Sequence, residues 1–276
     1  MRSESQQAAG AIRARAGDAP INIGLVLGTG LAAIGEHLAS PVSIPYQNLA
    51  GFPRSALGGA ESEVMVGTLG TARVAILKGR VLYHETRDMA AMRVPLETLK
   101  LLGAEAVVLV SSAGSTRADL APGALVAIKD HINLTGLNPL TGESGESRFT
   151  DMSAPYDPVL RERFLMAAHS VSRKTSEGVY MWFPGPTFET AAEIRTAHTL
   201  GADLVGMSLV PEVILARHLG LRVLAISMVT SFASGVRPEQ VERDDRMRVA
   251  GATILSLTRV LVKFFEIWVV GSPLRR

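Results

Sequence analysis

Apolar residues along the chain fall into short β-like runs that alternate with helical patterns. The stretch from Gly178 to Gly235 shows this most clearly. Val179–Phe183, Leu204–Met207 and Val223–Val229 are apolar runs that each end in a polar or glycine-rich turn, and amphipathic stretches at Thr190–Leu200 and Val210–Leu219 separate them. The same alternation appears upstream. Ile23–Leu27 closes in Gly28-Thr29-Gly30 before a helical pattern, and Glu63–Leu69 and Ala72–Leu77 meet at Gly70-Thr71 as a hairpin. A helix follows at Ala90–Leu102, then a buried-type strand at Ala106–Val110 that ends in Ser111-Ser112-Ala113-Gly114-Ser115, small residues that would let a ligand approach the backbone, and another strand at Ala124–Ile128. A helix through Met166 and His169 and a C-terminal helix at Arg246–Phe265 complete the pattern. Such alternation predicts an α/β fold, a single domain with a twisted mixed β-sheet flanked by helices, whose strand ends carry a site. Residues 1–20 read as a flexible N-terminal tail leading into a short helix with Ala8, Ile12 and Ala16 on one face, and residues 21–276 as the domain. Pro41–Ser62, rich in Gly, Pro and Ser, reads as a long surface loop.

Composition narrows the chemistry. The chain of 276 residues is 47% hydrophobic and 20% charged, with a net charge of +2. That is ordinary for one sizeable globular core. No long Lys/Arg run supports nucleic acid or a membrane surface as partner. Cysteine is absent, which removes disulfides and thiolate metal sites and fits a cytoplasmic protein. The first residues have no apolar core of a secretory signal, and the longest apolar tract, Val260–Val270, is broken by Lys263 and Glu266.

The turn at Gly28-Thr29-Gly30, between a strand and a helix, is of the kind that cradles an anion on backbone N–H groups. It also fits a dinucleotide fingerprint, but the acidic ribose ligand is missing, since Glu36 comes too early and Glu61 too late. None of the six histidines (37, 84, 131, 169, 198 and 218) stands at metal-ligand spacing from another, so no metal is expected. A GxSxG elbow and a P-loop are also absent. What remains is glycine turns and hydroxyls at strand ends, Arg80, and Glu189 beside Phe188. That set suits electrostatic clamping of an anion against an organic ligand. Met207-Ser208, Glu212 and Thr230-Ser231 also stand where a purely structural pattern does not require them.

Taken together, GTGL around Thr29, GRVLYHE from Gly79, SSAGS, KDHINLTGLNPLTG, YMWFPGPTFETAAEIR and GADLVGMSLVPEVILAR resemble the trimeric purine nucleoside phosphorylases, in order and over nearly the whole chain. The resemblance implies a homotrimer that splits 6-oxopurine nucleosides with inorganic phosphate as co-substrate and no cofactor. It assigns phosphate to Thr29, Arg80, the backbone of Ser112, and Ser208. Glu189 would accept the N1–H of the base and Phe188 would pack on it. Val205 and Met207 would line the base and ribose pockets, Tyr180 would reach the ribose beside Thr230, and Phe149 would lean into a neighbouring subunit's site.

Four positions depart from the family pattern. Leu82 stands where the family has a phosphate-binding His, and His84 where it has a Tyr on the ribose. Ser231 replaces the Asn that bonds the leaving purine, and the His that reaches the ribose 5′-hydroxyl aligns with Arg243, or with no residue if the loop shifts register. Three activities therefore stay open: a purine nucleoside phosphorylase of reduced rate, a 5′-methylthio-nucleoside phosphorylase (a branch in which Thr at position 29 is usual), and a non-catalytic purine-binding relative.

Overall fold

The computed structural model describes residues 1–28, 32–54, 62–237 and 243–268. The strands are β1 (Ile23–Leu27), β2 (Ala39–Pro45), β3 (Glu63–Leu69), β4 (Ala72–Lys78), β5 (Ala106–Ser115), β6 (Leu125–Ile132), β7 (Thr175–Trp182), β8 (Leu204–Gly206) and β9 (Arg222–Phe232). The helices are α1 (Ser3–Ala16), α2 (Tyr83–Thr86), α3 (Arg93–Leu101), α4 (Pro158–Ser170), α5 (Ala191–Thr199), α6 (Val210–His218) and α7 (Arg243–Glu266). The expected mixed sheet flanked by helices is present, in the order β2-β3-β4-β1-β5-β8-β7-β6-β9.

A further pairing of β9 with β5 closes the last five strands into a barrel, so the first four form an open wing on it. β5 belongs to both parts, running parallel to β1 and β9 and antiparallel to β8. Its neighbour β1 is buried at every position, as a strand covered on both faces should be. Ile23, Leu25 and Leu27 enter one core with Phe264 and Trp268, while Val26 enters the other with Tyr180 and Trp182. The β3–β4 hairpin turns at Gly70 with φ 62°, and a Cβ there would lie 2.5 Å from the Phe265 carbonyl, so the turn requires glycine where it packs on α7.

Four expectations change. The short helix expected in the N-terminal segment is present as α1, but it starts at Ser3 and buries Ala8, Ala9 and Ile12, so the segment is docked along most of its length. The Arg2 N–H and Ser5 hydroxyl both donate to the Glu97 carboxylate, at 2.8 and 2.6 Å, tying the helix to α3. The stretch read as a loop contains β2. Its Pro41 and Pro45 are tolerated because β2 is the outermost strand, where a missing N–H breaks no ladder. The strand expected at Ala106–Val110 runs on through its small residues to Ser115 as β5. The segment after the Gly28 turn is a 3₁₀ stretch at Ala32–His37, tighter than the expected α-helix. No helix among the described residues is long and apolar enough to cross a membrane.

Candidate active site

The parallel strands β4, β1 and β5 lie side by side, and their carboxyl ends bring Arg80, Gly28 and Val110 together. Arg80 follows β4 by two residues, and its side chain is only 5% exposed. Its Nη1 donates to the Val110 carbonyl at 2.9 Å. Nε lies 2.7 Å from Oε1 of Glu212, whose side chain is 3% exposed, although the N–H is turned off that line, so the contact is an ion pair without a hydrogen bond. Nη2 is buried without a hydrogen-bond partner among the described residues. Gly28 allows this approach, since a Cβ there would lie 3.1 Å from the Val110 carbonyl oxygen. Thr29 lies outside the described residues. Ser112 is exposed two residues along β5, and beneath it the Ser111 and Ser227 hydroxyls share a buried hydrogen bond of 2.9 Å between β5 and β9.

Ser208 is supplied from the turn between β8 and α6. Val210 N–H donates to the Ser208 carbonyl at 2.9 Å, around a Leu209 with φ 71° and ψ −60°. This is the strained three-residue γ-turn, a conformation that a branched residue keeps only where its surroundings enforce it. The Ser208 N–H donates to the Tyr180 hydroxyl at 3.2 Å. Tyr180 has no accessible surface, and burial pushes its phenol up to about 12. The hydroxyl of Tyr180, a residue expected at the ribose, braces Ser208, and Gly206 makes room for it, since a Cβ at that position would lie 2.3 Å from the hydroxyl. Tyr180→Phe should therefore lose about 1–3 kcal/mol of stability by orphaning a buried N–H. On the phosphate role that the resemblance implies for Ser208, it should also raise KM for phosphate more than KM for nucleoside, and steady-state kinetics with each substrate varied in turn will check this.

The other expected residues gather further along β5. Gly114 pairs with Val205 of β8 on one side and with Ser231 of β9 on the other, and the Thr230 hydroxyl donates to the Ala113 carbonyl at 3.4 Å. Glu189 is half-buried with Oε1 lacking a partner among the described residues, and burial raises its carboxyl above the ordinary 4.5. The Ser234 hydroxyl donates to the Glu189 carbonyl at 2.7 Å, which anchors this turn to the segment after β9.

His84 and Met207 meet at Gly185, where an added Cβ would lie 3.3 Å from the imidazole and 2.4 Å from the thioether. Leu82 faces a small cavity shared with Met89, Met92, Met207 and Glu212. The Leu82/His84 arrangement thus puts the imidazole on the Met207 side and an apolar group nearer Glu212. Phe188 and Phe149 are 86% and 75% exposed, so neither is packed within this chain. Arg243 begins α7, but its side chain lies outside the description.

Sequence reasoning missed the pairing of Glu212 with Arg80. The signal available was an acidic residue in an otherwise apolar first turn, just after Met207-Ser208. Among the described residues no cluster of acidic or His side chains could hold a metal ion.

The Phosphorylase superfamily profile matches residues 22–266. Purine nucleoside phosphorylase 1 of Bacillus subtilis is 35% identical over 96% of this chain and 100% of its own length. The chain belongs to the purine nucleoside phosphorylase family. Another relative in that family, the purine nucleoside phosphorylase of Mycobacterium tuberculosis, is 38% identical over 93% of each chain. A Schistosoma purine nucleoside phosphorylase solved in complex with hypoxanthine superposes with a TM-score of 0.88 at 29% identity, covering 96% of this chain and 97% of that one. The Schistosoma mansoni family member solved in complex with inosine also reaches a TM-score of 0.88, at 28% identity over 96% of each chain.

Proposed function

We propose that the chain is a pentosyltransferase that splits 6-oxopurine ribo- and deoxyribonucleosides with inorganic phosphate, giving free base and (deoxy)ribose 1-phosphate. The observation that carries this reading is Arg80, a buried guanidinium with Nη2 left uncommitted where three strand ends meet. A buried donor without a partner is costly unless a ligand completes it, and phosphate matches a guanidinium edge. Ser208, the Ser112 backbone and Thr29 would supply the remaining donors. Val205, Ser231 and Glu189 would hold the purine on the far side of Gly114, with Thr230, Met207 and His84 toward the ribose.

In the reaction the bond from C1′ to the purine nitrogen lengthens first, its electron pair leaves with the base, and a phosphate oxygen then attacks the cationic sugar. Glu189 as carboxylate accepts N1–H and holds the departing base in place. Ser231 offers a single hydroxyl where an amide would present donor and acceptor together, so base departure is slowed. The exposed Phe149 and Leu134 supply apolar surface for assembly into a homotrimer in which Phe149 reaches a neighbouring site.

The test is phosphate-dependent release of hypoxanthine from inosine. Turnover without phosphate, or none with it, would overturn the reading. The acid limb gives a second readout. Glu189 accepts N1–H only when ionised, and burial raises its carboxyl. The value of kcat/KM for inosine should therefore fall on acidification at a pH above the ordinary 4.5, and Glu189→Gln should remove that limb.

A further inference from the structure

We infer that Glu212 is the positioning residue of Arg80, aiming its one uncommitted nitrogen at the phosphate. This rests on the reading of Arg80 as phosphate ligand. Two of the three guanidinium nitrogens are already engaged, Nη1 with the Val110 carbonyl at 2.9 Å and Nε against Glu212 at 2.7 Å. Contacts on two nitrogens remove rotation of the planar group, so Nη2 can face only one way.

A pair that serves only stability would be built differently. Carboxylate and guanidinium normally meet as two parallel forks, spending Nε and Nη2 together. Here the carboxylate stays at the Nε end and Nη2 is left without a partner among the described residues. A buried ion pair is in any case poor evidence of stability, because desolvation offsets its attraction. Placing charge behind a ligand-binding guanidinium is the use that fits this geometry.

The chain explains why Glu212 can do this. It lies in the first turn of α6, which begins immediately after the strained Leu209 turn that presents Ser208. One short segment thus delivers a proposed phosphate ligand and the residue that orients a second. The cavity beside Glu212 is lined by Leu82, Met89, Met92 and Met207 but also by Asp88, so it is the burial of the Arg80 and Glu212 side chains themselves that keeps their attraction strong.

The test is Glu212→Gln, which keeps the shape and removes the charge, with phosphate and inosine varied separately. KM for phosphate should rise on the order of ten-fold, while KM for inosine moves by less than about two-fold. In an Arg80→Lys background, where no planar fork remains to aim, the same change should have little effect on phosphate. If Glu212→Gln does not fold, Glu212→Asp, which retains the charge but sets it back by one methylene, should still raise KM for phosphate selectively.

An active wild type with an unchanged phosphate KM in the variant would overturn the inference. So would a parallel rise for both substrates, an effect undiminished in the Arg80→Lys background, or insolubility of both Glu212 variants. A wild type with no phosphate-dependent turnover fails at the earlier step and refutes the functional reading itself.

Discussion

Arg80→Gln is expected to lower phosphate-dependent turnover of inosine by at least about 100-fold, the loss typical when a site gives up one donor to developing charge. It should also destabilise the fold by about 3–5 kcal/mol, because Glu212 would be left buried without its counter-charge. The two losses have different causes and can be separated. In the double variant Arg80→Gln with Glu212→Gln no charge is left stranded, so most of the stability should return while turnover does not. Denaturant midpoints and hypoxanthine release on the same preparations will check this. A single variant that still turns over, or a double variant as unstable as the single, contradicts it.

The second large effect runs the other way. Ser231→Asn should accelerate turnover by about ten-fold or more, toward the roughly 100- to 1,000-fold that one well-placed transition-state hydrogen bond is worth. Ser231 pairs with Gly114 at the end of the β5–β9 ladder, half-buried beside the Val205 row. A longer amide there gains reach toward the base, and the glycine opposite contributes no side chain to block it. The gain belongs in kcat, because the contact strengthens only as the purine departs. An unchanged kcat in a folded Ser231→Asn variant would show that base departure is not limited by this contact.

Much of the fold was legible because local patterns and global burial agree. Ile23–Leu27 and Glu63–Leu69 were bounded correctly because turn residues punctuate each apolar run. The misreadings have physical reasons. The helix at Ala8, Ile12 and Ala16 was legible, but its docking was not, because that depends on Glu97 far along the chain. Pro41 and Pro45 disguised β2, since its place at the sheet edge is a property of topology. Closure of the barrel through β5 and β9 lies beyond any local pattern.

The site divides in the same way. Motif context named Arg80, Ser208, Glu189 and Ser231, residues set at strand ends that carry their own sequence signature. It did not show that the Tyr180 hydroxyl accepts from the Ser208 N–H, a contact between β7 and the turn after β8. It left Glu212 without a role, because an ion pair between distant segments appears only when β4 and α6 are folded together.

β5 carries one more implication. Val110, Ser112 and Gly114 lie on this one strand, the first receiving Arg80 and the last standing between Val205 and Ser231. With a rise of about 3.3 Å per residue, Ser112, whose backbone is the proposed phosphate ligand, and Gly114 at the purine end are set roughly 7 Å apart by two peptide units. Val110 lies roughly 13 Å from Gly114. The β9 partner shifts register between Ser112 and Gly114, with Thr230 the extra residue opposite Ala113 and Gly114. The span across which nucleophile and leaving group would face each other is thus set along a single strand, a covalent ruler with the β9 bulge at its purine end.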